Sequence, residues 1–326
     1  MHEVPAEKPM SDPPIAPATA SAPVATVPTA VPANVLVVGD IVTDIVASPE
    51  GPLASGSDTA ARIRISGGGS AANTAAWLAS LHVPVVLAGV VGDDEAGTAR
   101  LSELAGGGVR CAVRIAPDAS TGSVVVLSSD GERTMLCDRA ANSLLTPADV
   151  DAALATAAPS HLHLSGYALF DEASAAAGAH ALQVARDRGM TTSIDAGSAA
   201  PLTRLGAETF FTLVRRADVL FANEDEARVL AGLAADPEKL AVALLPCAAT
   251  VVVKCGPAGA VWAGGDGAVV STPASPALTV VDPTGAGDAF DAGYLAAWLT
   301  GAPPDDALAS ANRVGALAVS RFGARP

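Results

Sequence analysis

The stretch DPTGAGDAF, residues 282–290, separates a β-like run, LTVV, from a helix-like run, DAGYLAAWLT. Backbone N–H groups of Gly285, Ala286 and Gly287 would lie at the start of this helix, where the first N–H groups have no partner within the helix. Together with the helix dipole they would form an anion site. Asp288 follows in the first turn, where a carboxylate could accept a proton from a hydroxyl beside that anion. From these residues alone, a glycine turn with an acidic first-turn residue explains the pattern equally well.

Upstream of this stretch, apolar runs alternate with helix-like segments. NVLVVGD (34–40), HLHLSGY (161–167) and TTSIDAG (191–197) are examples of short buried strands, and a segment of helical character follows directly after each of the last two. Strands that alternate with helices predict an α/β fold with a doubly wound, mostly parallel sheet and helices on both faces. Ligands of such sheets bind beyond the carboxyl ends of the strands.

Two segments break this alternation. Residues of about 41–66 and 109–138 show strand character without an intervening helix, and SSDGER (128–133) has the composition of a hairpin turn. They predict a small β-sheet that stands over the strand ends as a lid. Residues 1–33 are rich in proline and alanine, which predicts a disordered extension before a folded domain of residues 34–326.

The overall composition excludes several classes of protein. Half of the 326 residues are hydrophobic and the formal net charge is −15, which is typical of a globular protein whose field repels nucleic acid and anionic lipid. The four cysteines show no metal-binding spacing, and no apolar run reaches the roughly 18 residues of a membrane helix. We therefore expect a cytoplasmic protein that binds neither nucleic acid nor a membrane.

Two other motifs indicate cofactors only weakly. Gly67-x-Gly69-x-x-Ala72 fits a dinucleotide fingerprint loosely, but it follows a lid-like strand rather than the first strand of a βαβ unit. The Walker A pattern is absent from the sequence. The HLH triplet at 161–163 lacks a third metal ligand, so alternating strand positions explain it better.

Two long segments resemble the signature segments of the ribokinase (PfkB) family of sugar and nucleoside kinases. They are SGGGSAANTAAWLASL (66–81) and VDPTGAGDAFDAGYLAAWL (281–299), in the family's order and separation. VGDDEAG (91–97), NEDEA (223–227) and KCGPAGA (254–260) resemble further family segments, so the resemblance extends from residue 34 to the C-terminus. It implies a ribokinase-like fold and an ATP- and Mg²⁺-dependent transfer of phosphate to the hydroxyl of a small sugar or nucleoside.

The resemblance also implies roles for particular residues. Asp288 matches the family's catalytic base, and Gly285, Ala286 and Gly287 match its anion hole. The positions that match the ATP-binding residues are Asn223, Lys254, Gly256, Gly259 and Asn312. Glu226 matches a residue that organises Mg²⁺ through water, which suits a cation that keeps much of its hydration shell. Without the resemblance, NEDEA would be an acidic first helical turn capped by asparagine.

The resemblance also implies which residues bind the sugar that accepts the phosphate. Asp44, Gly68, Gly69 and Asn73 match residues that bind the hydroxyl groups of the sugar, and carboxylates and amides offer suitable acceptors and donors. Asp40 could add a contact or could simply end a strand.

A site for a monovalent cation, K⁺, is implied as well. Asp282, Thr284, Ala318 and Gly323 match positions of this site, which supports the anion hole in many members of the family.

The signature departs from that of strict ribokinases, because Ser70 and Thr74 replace a lysine and a glutamine. A sugar acceptor is therefore expected, and ribose itself stays open beside a nucleoside of adenosine or pseudouridine type and a ketose or keto-sugar acid. Two other classes also stay open, a nucleotide-binding protein without turnover and a dinucleotide-dependent oxidoreductase. The lid further suggests a homodimer formed by pairing of two lid sheets.

Overall fold

The computed structural model describes residues 34–129, 132–277 and 279–326. The predicted extension, residues 1–33, lies outside the described residues. The described strands are, in chain order, β1 (Val35–Val38), β2 (Val42–Pro49), β3 (Ala61–Gly68), β4 (Val85–Gly92), β5 (Arg110–Ala116), β6 (Gly122–Ser129), β7 (Glu132–Asp138), β8 (His161–Ser165), β9 (Thr191–Asp195), β10 (Ala217–Asn223), β11 (Ala248–Lys254), β12 (Ala260–Gly264) and β13 (Val269–Thr272).

The described α-helices are α1 (Ser70–Ser80), α2 (Glu95–Gly106), α3 (Pro147–Thr156), α4 (Glu172–Asp187), α5 (Ala199–Leu205), α6 (Ala207–Val214), α7 (Glu224–Ala231), α8 (Pro237–Leu244), α9 (Ala286–Trp298) and α10 (Pro304–Val319). Most of them follow a strand directly, as the alternation in the sequence predicts.

The large sheet has nine strands in the order β13-β12-β11-β10-β9-β8-β1-β4-β5. The strands from β11 to β5 are parallel, while β12 and β13 pair antiparallel at one edge. The side chains of β1 show how both faces are covered. Val35 and Val37 lie in the apolar core on one face, and Leu36 and Val38 lie in the core on the other. The prediction of a doubly wound, mostly parallel sheet with helices on both faces is confirmed.

The small sheet has four strands in the order β3-β2-β6-β7. β2 and β3 come from the first predicted lid segment and pair antiparallel, and β6 and β7 also pair antiparallel. Residues 130 and 131 of the predicted hairpin turn lie outside the described residues. The second predicted segment is partly wrong, because residues 110–116 form β5, which pairs parallel with β4 at the edge of the large sheet. We call the four-stranded sheet β3-β2-β6-β7 the lid.

Several chain segments with polar residues meet beyond the carboxyl ends of the parallel strands. Asp195 ends β9, Lys254 ends β11, and helices α1 and α9 pack against each other. Helix α1 follows the glycine cluster at 67–69, and helix α9 begins within the segment 285–287. In the part of the chain that the structure describes, no helix has the length and apolar character needed to cross a membrane.

Candidate active site

The N-cap residue of helix α9 is a glycine, and both its backbone conformation and its close packing disfavour any larger residue. Gly285 is the N-cap residue and has a left-handed backbone, with φ of 73°. A Cβ atom at this position would lie 2.6 Å from the Cβ of Ala324. The C-terminal segment therefore packs directly against the start of α9, and the predicted anion-binding amides of 285–287 lie at this helix N-terminus.

The carboxyl group of Asp288 lies in the first turn of α9 and is half-buried. Its Oδ2 accepts a hydrogen bond of 2.8 Å from Nδ2 of Asn73 on α1. Burial, reinforced by the charge of Asp195, raises the pKa of Asp288 to about 7, although Asn73 and Lys254 favour the ionised form. A carboxylate with a pKa near neutrality is matched to accept a proton from a hydroxyl at physiological pH.

Lys254, predicted to contact ATP, lies within a buried cluster of carboxyl groups. Its Nζ is 2.6 Å from Oδ2 of Asp195 and 3.2 Å from both carboxyl oxygens of Asp291. Burial opposes the charge of the lysine, but these two carboxylates and Glu226 together raise its pKa. The ammonium also lies beside the predicted anion-binding segment 285–287, since a Cβ on Gly287 would be 3.3 Å from Nζ.

The two acidic partners of Lys254 differ in their protonation. Burial raises the pKa of Asp291 well above its usual value. Burial acts on Asp195 in the same direction, but Lys254 and a hydrogen bond from Asp291 outweigh it, so the pKa of Asp195 is lowered. The pKa values of the two carboxyl groups are thus shifted in opposite directions, as expected when like charges are buried together.

Asn223 and Glu226 form a capping box at the start of α7. Oδ1 of Asn223 accepts from the N–H of Glu226 at 2.9 Å, while Oε2 of Glu226 accepts from the N–H of Asn223 at 2.8 Å. The helix cap considered for NEDEA is thus present. Burial, together with Asp195, raises the pKa of Glu226 to about 7.

The remaining predicted ATP contacts lie around a loop between β11 and β12. Gly259 has φ of 101°, and a Cβ there would lie 2.1 Å from the carbonyl oxygen of Thr272. Gly256 is in the same loop, also with positive φ. Asn312 on α10 donates to the carbonyl oxygen of Pro273 at 3.1 Å. The structure therefore brings Asn312 to the segment that packs on this glycine loop.

The predicted acceptor residues lie where the lid joins the large sheet. A Cβ on Gly68 would be 2.3 Å from the carboxyl group of Asp44, so Asp44 packs directly on this glycine. Gly69 has φ of 97°, and a Cβ there would be 2.5 Å from the carbonyl oxygen of Asp40. Burial raises the pKa of Asp44 to about 6, with Arg325 acting in the opposite direction.

The carboxylate of Asp40 binds the start of α1. Both a substrate contact and a strand-end role were considered for this residue. Its carboxylate accepts from the N–H of Ser70 at 3.0 Å, from the N–H of Ala71 at 3.3 Å and from Oγ of Ser165 at 2.9 Å. These contacts fix the glycine segment 67–69 beside β1.

The predicted cation-site residues come together near the C-terminus. Oδ1 of Asp282 accepts from the N–H and the Oγ1 of Thr284 at 2.9 and 2.7 Å, and Oδ2 accepts from the N–H of Gly323 at 3.1 Å. The N–H groups of Val281 and Asp282 donate to the carbonyl oxygen of Val319, which follows Ala318. Asp282 therefore ties the loop before α9 to the C-terminal segment.

Three residues of this network were not predicted. Asp195 had a usable signal, because it ends a strand of the parallel sheet. Asp291 had a weaker one, since it is three residues after Asp288 on the same helix and so lies near the same face. Arg325 had none. Its guanidinium contacts Asn73 and Gly68, two of the predicted acceptor residues.

The buried histidines of HLH bind neighbouring hydroxyl groups. Nε2 of His161 and Nδ1 of His163 each lie 2.8 Å from Oγ of Ser193. Burial lowers the pKa of His161 to about 3 and that of His163 to about 4, so both are neutral. No group of three or more His, Cys, Asp or Glu side chains suited to hold a metal occurs within the described ranges.

Comparison with known proteins agrees with this arrangement. Residues 32–326 match the family described as pfkB family carbohydrate kinase. The chain belongs to this family. It is 36% identical over 282 residues to the ATP-dependent ribose-1-phosphate kinase of Halopiger xanaduensis, covering 84% of this chain and 87% of that protein. The predicted ribokinase (PfkB) membership is confirmed, and the chain is an ATP-dependent carbohydrate kinase.

Solved structures resemble this pfkB family member over most of their length. The adenosine kinase of Sinorhizobium meliloti superposes with a TM-score of 0.81 at 25% identity, covering 90% of this chain and 96% of that chain. A protein from Escherichia coli solved in complex with ATP and Mg²⁺ superposes with a TM-score of 0.78 at 25% identity, covering 90% and 94%.

Proposed function

We propose that this carbohydrate kinase transfers the γ-phosphoryl group of ATP to a hydroxyl group of a small sugar, with Asp288 as the general base. One observation carries the proposal. The half-buried Asp288 carboxyl has a pKa of about 7 and lies one residue after the N-terminal amides of α9, hydrogen-bonded to Asn73 of the acceptor signature. A base beside an anion-binding helix N-terminus is what phosphoryl transfer requires from the protein.

In the proposed reaction, Asp44 and the segment of Gly68 and Gly69 hold the acceptor beneath the lid. Asp288 accepts the hydroxyl proton as the oxygen attacks the γ-phosphorus. The new P–O bond forms while the bond to the β-phosphate oxygen breaks, and ADP leaves with that electron pair. The amides of residues 285–287 stabilise the negative charge on the transferred group. Closure of the lid would exclude water and so limit hydrolysis of ATP.

Mg²⁺ fits the nucleotide side of this site as an indirectly held ion. Each carboxyl oxygen of Glu226 already accepts one hydrogen bond from Asn223, at 2.6 and 2.8 Å, and keeps a lone pair for a water molecule. When bound with ATP, Mg²⁺ would neutralise charge on the β- and γ-phosphates. Lys254, Gly256, Gly259 and Asn312 would line the nucleotide site. K⁺ near Asp282, Thr284, Ala318 and Gly323 is proposed as a supporting cation.

The acceptor to test first is ribose 1-phosphate, because the Halopiger relative that acts on it is 36% identical to this chain over 282 residues. Ribose, a ketose and a keto-sugar acid are the alternatives within the sugars. A nucleoside acceptor is the second candidate, since the adenosine kinase of Sinorhizobium meliloti superposes with a TM-score of 0.81.

The test is ADP release measured with a coupled assay against this panel of acceptors, with ATP and Mg²⁺ in excess. We expect one sugar to raise the rate far above the acceptor-free ATPase rate, and Asp288→Asn to abolish the increase. Product analysis by ³¹P NMR would identify the hydroxyl group phosphorylated. If no sugar or nucleoside raises ADP release, the kinase proposal is wrong.

We also propose that two lids pair to form a homodimer. Ile63, Ile65 and Leu136 are 64%, 67% and 58% exposed, and the register places Ile65 and Leu136 in one cross-strand row with Ile45 and Val125. An apolar sheet face of this kind is stabilised when it is covered. Light scattering should give twice the mass of the chain, and Ile65→Asp should give the single-chain mass. A single-chain mass for the unaltered protein would contradict the proposal.

A further inference from the structure

The penultimate residue, Arg325, is buried beside the acceptor signature. Its side chain is 7% exposed. Its Nε donates to Oδ1 of Asn73 at 3.2 Å and its Nη2 donates to the carbonyl oxygen of Gly68 at 2.8 Å. Nη1 forms an ion pair of 3.2 Å with Glu103 on α2. The proposed reaction assigns no task to this arginine.

The contact with Asn73 determines how the asparagine amide is oriented. A guanidinium group only donates hydrogen bonds, whereas an ionised carboxylate only accepts them. Asn73 lies between the two, with Oδ1 toward Arg325 and Nδ2 toward Asp288. The reversed amide would direct its NH₂ at a donor and its oxygen at a carboxylate, so both contacts would become repulsive. Arg325 therefore fixes the orientation in which Asn73 donates to Asp288.

Arg325 is itself held from several sides. The indole Nε1 of Trp77 on α1 donates to the carbonyl oxygen of Ala324 at 2.9 Å, which anchors the backbone next to the arginine. Glu103 binds the guanidinium and also lies 3.4 Å from Nε of Arg100. Nε and Nη2 of Arg325 are hydrogen-bonded, while Nη1 contacts Glu103 only as an ion pair. Together these contacts favour a single arrangement of the arginine side chain.

We propose that Arg325 is a positioning residue for phosphoryl transfer, which acts through the Asn73 amide to hold the Asp288 carboxylate in its reactive orientation. The proposal rests on the role of Asp288 proposed above. It also gives Asn73 a second task beside the predicted contact with the sugar. The path runs from Glu103 through Arg325 and Asn73 to Asp288.

The kinetic test compares Arg325→Met, which removes every donor, with Arg325→Lys, which keeps a donor-only head group. We expect Arg325→Met to lower kcat about 10- to 100-fold, the order expected for a displaced catalytic group, with KM for ATP within about twofold of the unaltered enzyme. Arg325→Lys should retain more activity, and added guanidinium ion should partly rescue Arg325→Met. The matched control is Arg114→Met, which removes another guanidinium group, one that pairs with Asp149 on α3 and makes no contact with Asn73 or Asp288.

A double-mutant cycle tests the path. If Arg325 acts through Asn73, then Arg325→Met should lower kcat little further in an Asn73→Ala background. Fully additive losses would overturn the proposal. So would an increased KM for the acceptor with unchanged kcat, because Arg325 would then bind the acceptor directly.

A measurement without turnover separates this proposal from the proposed function. The carboxyl ¹³C resonance of Asp288 reports its titration, and loss of the fixed donor should move its midpoint upward by about one pH unit in Arg325→Met. Other charges that act on Asp288 are Asp195 on β9, Lys254 on β11 and Asp291 on α9, and all three stay in place. An unchanged midpoint would overturn the role of Arg325, whereas a shifted midpoint in a protein without kinase activity would overturn only the proposed function.

Discussion

Replacing Asp288 by asparagine should lower kcat by orders of magnitude and stabilise the fold at the same time. Asparagine has nearly the same shape and can still contact Asn73, but it cannot accept a proton. General-base catalysis typically contributes about 10²- to 10⁴-fold to a rate, so we expect kcat to fall within this range. KM for ATP should change little, because Asp288 is proposed to act on the acceptor hydroxyl.

The stabilisation follows from the pKa of the carboxyl group. An unfolded aspartate ionises near 3.8, whereas Asp288 in the folded protein ionises at about 7, chiefly because of burial. The stability that the protonated group contributes is present below pH 3.8 and is lost as the pH rises through 7. A shift of about 3 units corresponds to at most about 4 kcal/mol. Because the carboxylate is only half-buried, solvent screening reduces this value, and about 2 to 3 kcal/mol is expected.

The assay is thermal or urea unfolding of both proteins at pH 4 and pH 8.5. Asp288→Asn should match the unaltered protein at pH 4 and exceed its Tm by roughly 5 to 10 °C at pH 8.5. Asp306→Asn, an exposed position on α10, is the control and should show no such difference. An equal or lower Tm for Asp288→Asn at pH 8.5 would refute the buried-charge argument, and a kcat within tenfold of normal would refute the role of Asp288 as base.

Three further outcomes are expected. The rate constant kcat should rise with pH around a midpoint near 7 as Asp288 ionises, and a profile flat from pH 5.5 to 8.5 would contradict this. Gly285→Ala should destabilise the protein by more than about 1 kcal/mol in urea unfolding, because its φ is 73° and the new Cβ would meet Ala324 at 2.6 Å. Lys254→Met should lower the free energy of unfolding by about 3 to 5 kcal/mol at pH 8, since it leaves buried carboxylates without their cation. This loss of stability should be smaller at pH 5, where the carboxylates can be protonated. A loss that does not depend on pH would argue against the ion pairs.

The fold was predictable because its elements have clear local signals. Strands buried on both faces appear as continuous apolar runs, and the glycine clusters mark the starts of α1 and α9. The assignment of residues 110–116 to the lid was wrong for a physical reason. β5 is an edge strand of the large sheet and is half-exposed over most of its length, so its sequence resembles that of a lid strand.

The site was only partly predictable, because its contacts join distant parts of the chain. The hydrogen bond from Asn73 to Asp288 spans 215 residues, and the one from Arg325 to Asn73 spans 252. The sequence indicated Asp288 and Asn73 through their motifs. It contained no local signal that Arg325 would lie beside them, or that Lys254 would bind Asp195.

The charge of the site explains how so acidic a chain could bind a polyanion such as ATP. Four carboxyl groups interact with Lys254, which would suggest a strongly negative site. However, burial raises the pKa of Asp291 well above its usual value and raises those of Glu226 and Asp288 to about 7, so burial opposes the ionisation of these three groups. The pKa of Asp195 is lowered, and its carboxylate pairs with Lys254. The negative field that opposes nucleotide binding therefore becomes stronger when Asp288 ionises and can act as a base. A cation bound with the phosphates would have its largest effect in this ionised form of the enzyme.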